Sequence, residues 1–177
     1  MLPKKSAKSP LGYISPYKNV PNLINIFRQL PSSERAITLL IAGKPDNDAL
    51  KESVQAAAKD AANVQLHMRF IQDEELQMFF KAADLVVLPF EEILNSGSLL
   101  LSLSFNRPVL APHLGAVVDW QQQVGSDWVK TYAGPMTTDV LAEAVGAILP
   151  TSSAAVNLDD LEWGAIAQQT LDAYQSL

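Results

Sequence analysis

Residues 63–90, NVQLHMRFIQDEELQMFFKAADLVVLPF, hold a complete strand–helix–strand unit. Val64–Met68 is short and mostly apolar. From Asp73 onward, Leu76, Phe79, Phe80 and Ala83 recur at the three- and four-residue spacing that lines one face of a helix. Leu85–Leu88 then follows, apolar at every position. A strand without a polar face is covered on both sides, which is the condition of a strand inside a parallel sheet.

The same alternation extends in both directions. Short apolar runs occupy Leu11–Ile14, Ile37–Ala42, Val64–Met68, Leu85–Leu88, Pro108–Ala111 and Trp128–Tyr132. Successive runs start 26, 27, 21, 23 and 20 residues apart, enough for a crossover helix each time. Pro21 suits a first helical turn, with Leu23, Ile24, Phe27 and Leu30 on one face. Asp46 or Asn47 caps a helix that buries Leu50, Val54, Ala57, Ala58 and Ala61. Thr137 or Thr138 opens one with Leu141, Ala144, Val145 and Ile148, and a last helix presents Trp163, Ile166, Ala167, Thr170 and Tyr174. Leu99–Phe105 is apolar nearly all round, as in a helix wedged between other elements.

The expected fold is therefore α/β: a Rossmann-like, doubly wound parallel sheet of about six strands. Residues 1–10 read as a flexible arm, 11–150 as the domain, and 151–177 as a linker and terminal helix.

Composition narrows the function. Apolar residues make up 48% of the 177 and charged ones 18%, a globular balance. Thirteen Lys and Arg against nineteen Asp and Glu give a net charge of −6, which disfavours a nucleic-acid or anionic-membrane surface. With no cysteine, disulfides and thiolate catalysis are excluded. No apolar run is long enough to cross a bilayer, and MLPKKSAKSP lacks the core of a signal peptide, so a cytoplasmic protein is expected. Neither GxxxxGK[ST] nor GxGxxG occurs, and no zinc or calcium motif is present; no metal is expected.

In an open parallel sheet, ligands meet the loops at the carboxyl ends of the strands. Ser96, Gly97 and Ser98 open the buried helix, where unpaired amides and the helix dipole favour an anion and Gly97 allows close approach of a phosphate; equally, Asn95 or Ser96 simply caps the helix. Lys18, from the loop after the first run, is the cation to neutralise that phosphate, or else a solvated surface lysine. Gly43, Lys44 and Arg69 follow neighbouring strands, with the cations free to add potential or to serve as surface charges. Glu91 and Glu92 stand at the mouth of the site, placed to meet ribose hydroxyls or to lie in a solvated loop. His113 reads as a loop hydrogen-bonder and His67 as structural.

The segments GYISPYKNVPNLINIF, ITLLIAGKP, the 63–90 stretch and NSGSLLLSLSFNRPVLAP, in that order and spacing, resemble the carboxyl-terminal, donor-binding half of a GT-B glycosyltransferase of the retaining GT4 group (group 1). The resemblance runs from about Leu11 to Leu149. It implies that Lys18 contacts the donor diphosphate, that the residues opening the buried helix supply amides to it, and that Phe70 and Ile71 lie against the base. It departs from the family at Tyr13, where many members carry arginine, and at Ile93 and Leu101, where they carry glutamates. The implied function is transfer of a hexose from a nucleotide sugar to a glycan or lipid-linked acceptor in polysaccharide biosynthesis, without metal or other cofactor. The partners implied are the nucleotide sugar and an N-terminal acceptor-binding domain, and the whole enzyme would be peripheral to a membrane. A noncatalytic interaction module and half of a nucleotide-sugar epimerase are the alternative readings, and no catalytic residue is assigned.

Overall fold

The computed structural model describes residues 5–8, 12–31, 36–92, 97–148 and 155–158. Among these residues, eight strands and six α-helices follow one another. The strands are β1 (Lys5–Lys8), β2 (Tyr13–Ile14), β3 (Ile37–Ala42), β4 (Lys44–Pro45), β5 (Val64–His67), β6 (Leu85–Val87), β7 (Val109–Pro112) and β8 (Val129–Tyr132). The helices are α1 (Val20–Arg28), α2 (Asp48–Ala58), α3 (Asp73–Ala82), α4 (Gly97–Ser104), α5 (Ala116–Val124) and α6 (Thr138–Gly146).

Six strands form one parallel sheet in the order β5-β3-β1-β6-β7-β8. The alternation of strand side chains divides the core into two layers. Leu39, Ile41, Leu85, Val87 and Leu110 join the apolar faces of α1, α2 and α6. Leu40, Ala42, Val86, Leu88, Val109 and Ala111 join α3, α4 and α5 on the other side. Every apolar position of ITLLIA and LVV is thus consumed, which is why those runs show no polar face.

The amino-terminal arm is a correction. Lys5–Lys8 is a central strand, paired with β3 on one side and β6 on the other. The run expected to be first in the sheet, Leu11–Ile14, contributes only Tyr13–Ile14, paired with Lys44–Pro45 in a separate two-stranded sheet. KSAK carries no apolar periodicity, and its place is set by main-chain hydrogen bonds to two neighbours, which leave no mark in side-chain pattern. α5 fills a gap that was long enough for a crossover helix. The expected terminal helix lies outside the described residues, but Val156, within the expected linker, is buried and its N–H donates to Asn106 Oδ1 at 2.9 Å.

Helix starts follow the sequence closely. Asn47 Oδ1 accepts the Leu50 N–H at 2.8 Å and Thr137 Oγ1 the Val140 N–H at 3.3 Å. At α3 the Gln72 N–H donates to Glu75 Oε2 at 3.2 Å, and Arg69 grips both oxygens of the same carboxylate at 2.6 and 2.7 Å. α4, expected to be wedged between other elements, is buried on one side only: Leu99, Ser102 and Leu103 are buried while Leu100 is exposed, and the buried Ser102 Oγ donates back to the Ser98 carbonyl at 2.6 Å. No helix among the described residues is long and apolar enough to cross a membrane.

Two outcomes are expected. The Arg69 hydrogen bonds, then the Gln72 N–H, hold the Glu75 carboxyl at about 2. A carboxylate depressed in the folded state stabilises above its ordinary pKa and loses that contribution as pH falls toward about 2. NMR titration should therefore place Glu75 near 2, and Arg69→Ala should move it up; an ordinary midpoint in the native chain would mean that Arg69 is not held. Second, Gly43 has φ +149, and a Cβ there would collide with the Gly12 carbonyl. Gly43→Ala should cost about 2 kcal/mol or more in chemical denaturation, whereas Gly146→Ala, with open space around the added methyl, should be neutral or stabilising.

Candidate functional site

In chain order the six strands of the main sheet read 3-2-1-4-5-6, so the winding direction reverses between β1 and β6 and a crevice opens at their carboxyl ends. One lip is made by the chain leaving β1. Gly12, at φ +104, turns it into β2. The Gly12 carbonyl accepts the Lys44 N–H at 2.8 Å, and the Ile14 carbonyl accepts the Asp46 N–H at 3.0 Å. Pro16–Lys18 then forms a single 3-10 turn, closed by Asn19 in the left-handed region at φ 49, before α1 begins.

Lys18 sits in that turn and is 7% exposed. Its ammonium donates to the Tyr13 carbonyl at 2.6 Å and lies 5.9 Å from the Tyr17 ring centroid. Burial lowers its pKa, with partial compensation from the charge of Asp46. An ammonium has three donors, and among the described residues only one finds an acceptor.

The other lip follows β6. The Glu91 N–H donates to the Tyr17 carbonyl at 3.0 Å, Asn19 Nδ2 donates to Glu91 Oε1 at 2.9 Å, and the Tyr17 and Phe90 rings meet at 5.6 Å. The Lys18 turn is thereby fastened to the segment that leads into α4. Ser96 lies outside the described residues, as does Ile93. Gly97 begins α4; a Cβ there would meet nothing within 4 Å and its φ is not in the left-handed region, so the fold makes no demand for glycine at this place. Ser98 follows it, partly buried.

The other expected site residues separate. Gly43 is buried against Gly12 and serves the β2–β4 contact. Lys44 is exposed on β4. Arg69 is bound to Glu75 and so is not a free source of positive potential. Phe70 is 49% exposed whereas Ile71 is buried among Phe79, Phe80 and Leu40, leaving Phe70 as the member of that pair open to a ligand. Glu92 is exposed. Leu101 packs against the core layer of α3, α4 and α5. His113 Nδ1 pairs with Thr131 Oγ1 at 3.1 Å, and the His67 ring meets Phe79 edge-on at 5.3 Å, the local roles expected of both.

A cavity of about 340 Å³ opens at the carboxyl ends of β6, β7 and β8, lined by Asn19, Phe90, Glu91, His113 and Tyr132 among others. Sequence reasoning missed it. Asn19 stands before α1, whereas Tyr132 ends β8 and Met136 follows it, so no sequence spacing joins the two sides of the cavity. Among the described residues no group of three or more His, Cys, Asp or Glu is assembled as a metal site would require.

The family described as "Glycosyl transferases group 1" matches residues 10–150. A GDP-mannose:glycolipid 4-beta-D-mannosyltransferase of Xanthomonas campestris pv. campestris is 30% identical over 158 residues, covering 89% of this chain and 45% of the relative. The chain thus spans less than half the length of the curated relatives it matches. Among solved structures, the C-terminal domain of the group 1 glycosyl transferase LpcC from Francisella tularensis superposes with a TM-score of 0.60 at 20% identity, over 82% of this chain and 75% of that one. The catalytic domain of starch synthase IV from Arabidopsis thaliana gives 0.69 at 15% identity, over 99% and 39%. These structures share the fold, half of a GT-B architecture, and the match over residues 10–150 shows that this chain belongs to the group 1 glycosyltransferases.

Proposed function

We propose that this chain is the donor-binding half of a hexosyltransferase, and that it holds a nucleotide sugar by its diphosphate between the Lys18 ammonium and the amides that open α4. One observation carries the reading: Lys18 is buried, its charge is disfavoured by that burial, and among the described residues it has a single acceptor, a carbonyl. A buried cation lacking a bonded carboxylate costs stability, and an anionic ligand removes that cost. A glycine at the start of α4 that the backbone does not require supports the same reading, because a missing side chain lets phosphate oxygens reach the helix amides.

During transfer, the bond between the anomeric carbon and the diphosphate oxygen breaks and negative charge grows on the leaving nucleoside diphosphate. Donors fixed in advance at that oxygen stabilise the developing charge without reorganising. Lys18 and the Gly97 and Ser98 amides would do this work with no metal. Phe70 offers an exposed ring against which a base can stack, and Glu92 an exposed carboxylate for hydroxyls. An N-terminal acceptor-binding half would complete the enzyme, which fits a chain that spans 45% of its relatives. Since the Xanthomonas relatives are named for GDP-mannose and a glycolipid, GDP-mannose is the first donor to try, and a lipid-linked acceptor, polysaccharide assembly and a place at the membrane surface follow as part of the proposal.

Calorimetry with GDP, UDP and ADP tests it. At least one nucleotide should bind the 177-residue chain, with no sugar transferred by the chain alone. Lys18→Met should weaken that binding by about tenfold or more, the worth of a charge-assisted hydrogen bond, while the melting temperature holds or rises. Gly97→Ala should likewise weaken binding without loss of stability. Binding indifferent to both changes would overturn the site; no nucleotide binding together with a stable complex with a partner chain would favour the noncatalytic module.

A further inference from the structure

The cavity at the carboxyl ends of β6, β7 and β8 has a chemistry unlike that of the Lys18 turn. No cation lines it, and Glu91 places a carboxylate on its wall, so it is not built for an anion. Tyr132 lines it from β8 and is 7% exposed. Its hydroxyl has no hydrogen-bond partner, yet Arg107 Nε is the sole unpartnered side-chain atom sealed from solvent among the described residues. The Tyr132 hydroxyl is therefore not sealed from solvent, and the residue lines the cavity. Burial pushes its pKa up to about 12, which keeps it protonated and able to donate at any physiological pH.

The orientation of His113 follows from a chain of hydrogen bonds beneath it. Gln121 Nε2 donates to the Val129 carbonyl at 2.8 Å, which fixes the amide and leaves Gln121 Oε1 to accept the Thr131 hydroxyl at 3.3 Å. With its proton so directed, Thr131 Oγ1 accepts from His113 Nδ1 at 3.1 Å. The neutral ring then carries its proton on Nδ1 and offers Nε2 as an acceptor. Glu91 has one carboxylate oxygen bonded to Asn19 and the other without a partner among the described residues. The cavity is thus lined by His113, the Glu91 carboxylate, the Tyr132 hydroxyl and the amide side chains of Asn19 and Asn22, set among the apolar side chains of Phe90, Leu114 and Met136.

Acceptors interleaved with apolar surface fit a ligand that has many hydroxyl donors and C–H faces. At about 340 Å³ the volume falls within the range of small-molecule sites. We propose that this cavity is a saccharide site, in which Tyr132, His113 and Glu91 bind the hydroxyls of one pyranose ring. In taking the ligand to be a sugar, the proposal rests on the transferase reading. The ring has two possible sources, the hexose of a nucleotide sugar or a unit of a free glycan. Asn19 and Glu91 form a wall common to this cavity and the Lys18 turn, so either source is compatible with a donor held at Lys18.

Calorimetry on the full chain with GDP, GDP-mannose and methyl α-mannopyranoside, in the native chain and in Tyr132→Phe and Leu114→Trp, separates the cases. Tyr132→Phe removes only an unpartnered hydroxyl and should keep the melting temperature; Leu114→Trp changes an exposed side chain at the cavity wall. If the donor's hexose occupies the cavity, GDP-mannose should bind more tightly than GDP, and Tyr132→Phe should remove about fivefold of its affinity while leaving GDP unchanged. If a glycan unit occupies it, methyl α-mannopyranoside should bind and should weaken by about fivefold in Tyr132→Phe and further in Leu114→Trp. Either pattern supports the site, and the second does so even where GDP fails to bind, in which case the diphosphate reading falls alone. Saccharide affinities unchanged in both variants, or no saccharide binding with GDP-mannose no tighter than GDP, would overturn it.

Discussion

Where the strand order reverses, two loops diverge from β1 and β6, and a main-chain bond from the Glu91 N–H to the Tyr17 carbonyl, 3.0 Å long, ties them together again. The Asn19–Glu91 bond at 2.9 Å and the Tyr17–Phe90 contact reinforce it. Every functional statement about this chain depends on that seam. It fastens the turn bearing Lys18 to the segment entering α4, and its outer face is the wall of the saccharide cavity. An open parallel sheet always leaves a crevice at such a reversal, but the crevice becomes a site only when its lips are held in fixed relation.

Around the seam, local choices run against stability. An ammonium is buried on one carbonyl where an apolar side chain would cost less. A glycine opens α4 where any helix former would fit. A tyrosine hydroxyl stands without a partner at the end of β8. Away from the crevice, the unpartnered Arg107 Nε apart, the molecule is conventional: α2 and α6 begin on side-chain caps, the buried Ser102 hydroxyl is satisfied, and strand residues alternate between two apolar layers. Such departures gather where a ligand, rather than the fold, supplies the missing interaction.

Several residues that look alike in sequence have different work in the folded chain. Gly43 and Gly97 both follow the carboxyl end of a strand, yet the first is required by the Gly12 carbonyl and the second by nothing among the described residues. Lys18, Lys44 and Arg69 all stand near the carboxyl edge, but only Lys18 is buried, while Lys44 faces solvent and Arg69 is committed to the α3 start. Phe70 and Ile71 are neighbours on opposite sides of the surface. Chain position brought all of them to one edge of the sheet; packing decided which of them a ligand can reach.

From sequence alone came whatever is written in side-chain periodicity or in local capping chemistry: five of the six strands of the main sheet and the helices announced by Asn47, Asp73 and Thr137. The place of Lys5–Lys8 at the centre of the sheet, the transfer of Tyr13–Ile14 to a second sheet, the Glu91–Tyr17 seam and the Tyr132 cavity were decided only by the tertiary structure. The division has a physical cause. Burial of apolar side chains repeats with the geometry of helix and strand and so marks the chain at regular intervals, whereas main-chain hydrogen bonds between distant segments use groups that every residue carries and leave no trace in the order of side chains.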